Sequence, residues 1–143
     1  MFVTAICTVA LCLGASFASG GASPTVEIII GARAGEVERN AATLLQQRLA
    51  ETGQIEASVM TEDEAARYDA DGAAAHGALR VLVGIPGHHD QLAAAIKRLH
   101  IAPLTESDPG PEGFLLLPCA DTHPPALLAA GIDDRGVVYA VGE

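Results

Sequence analysis

Residues 25–52 read TVEIIIGARAGEVERNAATLLQQRLAET, and the fold turns on how this stretch divides. Thr25 to Ile30 is β-branched and almost continuously apolar, and it stops at Gly31, which is the pattern of a strand. A strand that does not alternate is covered on both faces and so belongs inside a sheet. Beyond the glycine, Val37, Ala41, Leu44, Leu45 and Leu49 recur at three- and four-residue intervals, with Glu36 and Glu38 in the first turn and Gly53 just past the end. That spacing predicts a helix from Glu36 to about Thr52. Strand, glycine loop and helix in this order predict a sheet with parallel pairs.

Working outward, QIEASVM at 54–60 alternates Ile55, Ala57 and Val59 against Glu56 and Ser58, as a strand with one wet face does. The acidic stretch TEDEAARYDA follows, with Thr61 as cap and Glu64 completing a capping box for one or two helical turns. GALRVLVGIPG at 77–87 is a second strong strand running into a Gly-Pro-Gly loop. HDQLAAAIKRL at 89–99 places Leu92, Ala95, Ile96 and Leu99 on one helical face. EGFLLLPC and ALLAAGI read as two late strands, a hairpin, before Asp133 or Asp134 caps a helix over RGVVYAVGE. The expectation is an α+β (α/β-like) fold in the order β-α-β-(α)-β-α-β-β-α. One mixed sheet carries the two main helices on one face. The other face, partly apolar, is left for a neighbouring domain or for self-association.

The 143 residues are half hydrophobic, enough for one domain with a real core but not for two. Aromatics make up only 3%, so the core is built from aliphatic side chains. The formal charge of −10 is spread along the chain, and the eight Lys and Arg residues form no row that would neutralise phosphates. Nucleic acid is therefore excluded as a partner.

Residues 2–18, FVTAICTVALCLGASFA, are uncharged and end in Ser16-Phe17-Ala18, the small −3 and −1 residues of a signal-peptidase site. This reads as a signal peptide over 1–18 cleaved near Ala18, then a flexible linker SGGASP over 19–24, then the domain over 25–143. The destination is secreted or periplasmic. An uncleaved anchor and lipidation at Cys12 are the alternatives. Cleavage removes Cys7 and Cys12 and leaves Cys119 as a single thiol without a disulfide partner. In LLLPCAD it reads as a buried structural cysteine, with no basic neighbour in sequence to activate it.

Four constellations resemble sites. IIIGARAGEVERN has the strand-loop-helix order that can seat an anion, with Arg33 as the accompanying charge. Gly31 and Gly35, however, match neither a dinucleotide fingerprint nor a P-loop, and the plain reading is a tight βα turn. His88, His89 and Asp90 offer metal-ligand chemistry, but adjacent histidines diverge on most backbones, and no metal is expected. Cys119 and His123, followed by two prolines, are a weaker pair. Asp133, Asp134 and Arg135 read as a helix cap and dipole partners, since adjacent acids lack the separation across a cleft that acid and base roles need.

The stretch EGFLLLP…ALLAAGIDDRGVVYAVGE resembles the small N-terminal α/β accessory domain of glycoside hydrolases. It is the domain that precedes the catalytic barrel in β-N-acetylhexosaminidases (their second domain), hyaluronidase-like N-acetylglucosaminidases and α-glucuronidases. The residues that carry the resemblance are Glu112-Gly113-Phe114-Leu115-Leu116 on one strand, Ala129-Ala130-Gly131 ending the next, and Asp134-Arg135-Gly136 with Val138-Tyr139 opening the helix. Ala140 stands where a glycine commonly follows the tyrosine. The upstream order extends the likeness over 25–143. It implies a non-catalytic module of a carbohydrate-active enzyme, with no catalytic or cofactor residue of its own and a catalytic barrel as partner. The apolar pattern still runs at Val137, Val138, Tyr139 and Val141, so the expectation is a chain truncated before that barrel. A stand-alone secreted module binding a glycan or a protein is the alternative, and a small enzyme using His88, His89 or the Gly31 loop is a third class.

Overall fold

The computed structural model describes residues 24–71, 78–120 and 122–143. The expected signal peptide, Cys7, Cys12 and the linker before Pro24 lie outside them. The elements are β1 (Thr25–Ile30), α1 (Glu36–Glu51), β2 (Glu56–Thr61), α2 (Glu62–Ala70), β3 (Leu79–Gly84), α3 (Asp90–Arg98), β4 (Phe114–Cys119), β5 (Ala126–Gly131) and α4 (Asp134–Gly142). This is the order read from the sequence. Thr61 caps α2, with Glu64 closing the box onto the Thr61 N–H at 2.7 Å. Asp133 rather than Asp134 caps α4.

The strands form one five-stranded sheet in the order β2-β1-β3-β5-β4. The β1–β2, β1–β3 and β3–β5 pairs are parallel, and β4 joins β5 as an antiparallel edge, so the sheet is mixed as expected. Because β1 lies between β2 and β3, both phases of its side chains are covered. Val26, Ile28 and Ile30 enter one core with Ala41, Ala42, Leu45 and Leu49 of α1 and with Val137 and Ala140 of α4. Ile29 enters the opposite core with Ala65 of α2 and with Leu92, Ala95 and Ile96 of α3.

The two main helices, α1 and α3, are therefore on opposite faces, which corrects the expectation that they share one. The reason is the handedness of the connections. From β1 the chain crosses through α1 to β2 on one side, and from β2 it crosses back through α2 to β3 on the other, with α3 following on the α2 face. Right-handed crossovers in opposite directions put their helices on opposite faces. Neither face is bare, and the exposed sheet face expected for self-association is reduced to the groove described below.

Candidate functional site

In an open sheet of this type, the crevice for a ligand forms at the carboxyl ends of neighbouring strands whose helices depart to opposite faces. Here those strands are β1 and β3, and the loops concerned are 31–35 and 85–89. The two loops touch. The Arg33 N–H donates to the His88 carbonyl at 3.4 Å, and a Cβ on Gly31 would stand 2.1 Å from that same oxygen. Gly31 is thus required by a close main-chain approach across the crevice.

Two buried glutamates take the main-chain N–H groups that would otherwise hold an anion. Glu38, fully buried in the first turn of α1, accepts from Gly35 N at 2.6 Å and from Ile85 N at 2.9 Å, and it meets His88 Nδ1 at 2.8 Å. Glu62, the first residue of α2, accepts from Ala32 N at 3.0 Å, from Asp90 N at 3.2 Å and from Gln91 N at 2.9 Å. It also meets His89 Nδ1 at 3.0 Å. The N-termini of α1 and α3 are both occupied by the chain's own carboxylates. The anion seat suggested by the Gly31 loop is filled from within, and Arg33 instead pairs at the surface with Asp90 at 2.9 Å.

The adjacent histidines diverge. His89 is fully buried, with its Nε2 3.2 Å from the Ile29 carbonyl. Burial pushes its imidazole below the usual 6.5, against the pull of Glu62. Burial alone would raise Glu62, but the N–H groups of Ala32, Gln91 and Asp90, with His89, hold it below the usual 4.5. Each ring nitrogen of His89 faces an acceptor, Nδ1 the Glu62 carboxylate and Nε2 the Ile29 carbonyl. The Leu92 N–H, 3.4 Å from the same Nδ1, is left with a long contact. Such a pair orients two loops and cannot reach a substrate. His88 is different, since its side chain is 44% exposed while its partner Glu38 is fully buried. That is the arrangement of a general base and its orienting acid. Among the described residues, no Ser, Thr or Cys side chain hydrogen-bonds to it.

The residues that carry the family resemblance converge at a second place, where β4 begins, β5 ends and α4 starts. Asp133 Oδ1 accepts from Gly136 N at 2.8 Å and Oδ2 accepts from Glu112 N at 3.0 Å, so one carboxylate both caps the helix and ties it to the approach to β4. The Gly136, Glu112 and Arg135 N–H groups hold Asp133 below the usual carboxylate range. Glu112, in the left-handed region at φ 62°, forms an ion pair with Arg135 and lies 3.5 Å from the Tyr139 hydroxyl. A Cβ on Gly136 would meet the Gly113 carbonyl at 2.3 Å, and one on Gly131 would meet Val137 N at 2.2 Å. Asp134 is an exposed first-turn acid. Phe114, directly opposite Gly131 in the β4–β5 register, is 37% exposed. Of the residues behind the resemblance, Glu112, Gly113, Gly131, Arg135, Gly136 and Tyr139 thus meet with Asp133 in one joint, while Asp134 and Phe114 stay exposed at its edge.

Cys119 is buried as expected, but Arg98, remote in sequence, brings its Nη2 to 3.5 Å from the sulfur. Both line a cavity of about 370 Å³ under α3, together with His123 and Arg80. Arg80 is itself engaged, donating from Nε to Glu27 at 2.8 Å and from Nη1 to Asp69 at 2.8 Å. Asp69, with Glu27, holds its guanidinium above the ordinary value despite burial. Among the described residues, no group of three or more His, Cys, Asp or Glu is placed to hold a metal.

Sequence reasoning missed Glu38 and Glu62 as the residues that close the crevice. A signal existed for Glu38, three residues after Gly35 and so able to reach back to its N–H. None existed for Glu62, whose partners are up to 30 residues away. Compared with known proteins, the chain matches no family model, no curated protein and no solved structure.

Proposed function

We propose that residues 25–143 form the non-catalytic N-terminal accessory domain of a secreted carbohydrate-active enzyme, a glycoside hydrolase of hexosaminidase or α-glucuronidase type. In this reading the domain supports a catalytic barrel. The observation that carries it is the joint of Glu112, Gly131, Asp133, Arg135, Gly136 and Tyr139. The residues behind the resemblance serve architecture by fixing the last helix onto the hairpin, which is the use a supporting domain makes of a signature. The crevice adds to it, because the carboxylates at the strand ends are committed to main-chain N–H groups and to histidines.

The test is the genomic DNA immediately downstream of the Glu143 codon. An in-frame barrel with paired carboxylates is the expected result, and a genuine stop codon with no barrel in a neighbouring frame would overturn the proposal. A second reading, a small hydrolase using His88 as base, is favoured by the exposed imidazole on buried Glu38. It requires turnover of an aryl glycoside or ester by the full chain that His88→Ala abolishes, whereas the accessory-domain reading expects none from the module itself.

A further inference from the structure

On the face covered by α2 and α3, the cavity that Arg98 and Cys119 share is shaped by one stripe of α3. Gln91, Ala94, Ala95 and Arg98 recur at three- and four-residue spacing and all line it. The helix thus presents two alanines where larger side chains would fill the space, with a polar side chain at each end of the stripe. Leu82 of β3 and Leu128 of β5 form the floor. At about 370 Å³ the cavity lies within the range of roughly 300–1,000 Å³ that small-molecule sites occupy.

The charged groups gather at one end. Arg80 of β3 and Cys119 of β4 are the register partners of Ala126 at the start of β5, and the last turn of α3 brings Arg98 to the same place. Thr122 and His123, between β4 and β5, complete that end, and the exposure of Arg98 and His123 places the mouth there. In a chain with 18 Asp and Glu against eight Lys and Arg, two arginines and a histidine line this cavity, and among the described residues no acid does. Arg80 is engaged by Glu27 and Asp69, so the available charge is that of Arg98. Among the described residues Arg98 pairs with no carboxylate, and its acceptor is the Cys119 sulfur at 3.5 Å, a weak one. A guanidinium offers five N–H donors in a planar fork that matches a carboxylate.

We propose that this cavity binds a small organic monocarboxylic acid, with the carboxylate on Arg98 at the mouth and a compact apolar body between the α3 alanines and the floor of Leu82 and Leu128. Both halves of the ligand are needed. A neutral apolar molecule leaves the guanidinium without a carboxylate, and a bare inorganic anion leaves the apolar floor uncovered. The site lies on the opposite face of the sheet from α1 and α4, and it does not depend on the accessory-domain reading.

The test titrates the full chain, by calorimetry, with cyclohexanecarboxylate, with cyclohexylmethanol as its neutral counterpart, and with acetate as the charge without the body. Cyclohexanecarboxylate is expected to bind about tenfold tighter or more than either of the others, the size of effect that a hydrogen-bonded charge pair carries. Arg98→Gln, at an exposed position, weakens the acid about tenfold and leaves cyclohexylmethanol unchanged. Ala94→Leu, which puts a side chain into the apolar half, weakens both. Backbone amide shifts induced by the acid in the unmodified chain need no variant, and they are expected to centre on the last turn of α3 and on residues 122–124. An acid that binds no tighter than acetate overturns the proposal. So do an Arg98→Gln chain that holds the acid as tightly as the parent, an Ala94→Leu chain that does the same, and shifts centred elsewhere.

Discussion

Glu62 accepts three main-chain N–H groups from two different loops, so a single carboxylate holds together segments that the chain reaches 30 residues apart. Its replacement by Gln keeps the shape and loses the charge, and is expected to cost about 2 kcal/mol at pH 7 in urea unfolding. The pH dependence has a definite sign. Folding holds Glu62 below 4.5 and His89 below 6.5, so in both cases the unfolded chain binds protons more readily. Stability is complete above about pH 6.5 and is lost on acidification, first through His89 and then, below the ordinary carboxylate range, through Glu62. Scanning calorimetry from pH 8 to 4 should give a flat Tm down to about 6.5 and a fall beyond it. Glu62→Gln should flatten the acid end of that fall, and a Tm that rises toward pH 5 would mean His89 is held as the cation instead. At the other joint, Gly136→Ala puts a methyl 2.3 Å from the Gly113 carbonyl, and the main chain must yield. A loss of about 3 kcal/mol is expected, with α4 detaching first in hydrogen exchange.

At the scale of elements, strand and helix identities were legible because periodicity and capping are local. Val37, Ala41, Leu45 and Leu49 announce α1, and Thr61 with Glu64 announces α2. Helix placement was not legible, because it depends on strand order, which no spacing states. The clue lay in β1 itself, since Ile28 and Ile29 are both fully buried yet point to opposite cores, so helices had to cover both faces. Glu27, a charge inside that apolar run, was the second clue. It is buried and sits directly opposite Arg80 in the β1–β3 register. Removing one member of such a pair leaves an uncompensated charge, so Arg80→Leu should cost about 3–5 kcal/mol. Glu27→Leu with Arg80→Leu should recover most of that loss. A double-mutant cycle decides it, and additive losses would contradict the pairing. The crevice contacts were illegible for the same reason as the helix faces: Glu38 meets His88 only because β1 and β3 are neighbours.

At the scale of the whole molecule, the two ends of the sheet have different characters. The carboxyl end is closed by the domain's own carboxylates and histidines. The amino end, on the α1 face, is left with an apolar groove. Leu116 on β4, 37% exposed, lines it. On the functional proposal, a module organised in this way acts by supporting a neighbouring barrel. The measurement that tests this proposal most directly takes the parent enzyme that it requires, deletes residues 25–143 and compares Tm and kcat with the undeleted protein. The account predicts a barrel that melts several degrees lower, with the kcat of its folded fraction within about twofold of the parent. An unchanged Tm with kcat lowered a thousandfold, a loss of about 4 kcal/mol of transition-state stabilisation, would place the chemistry in this domain and contradict it.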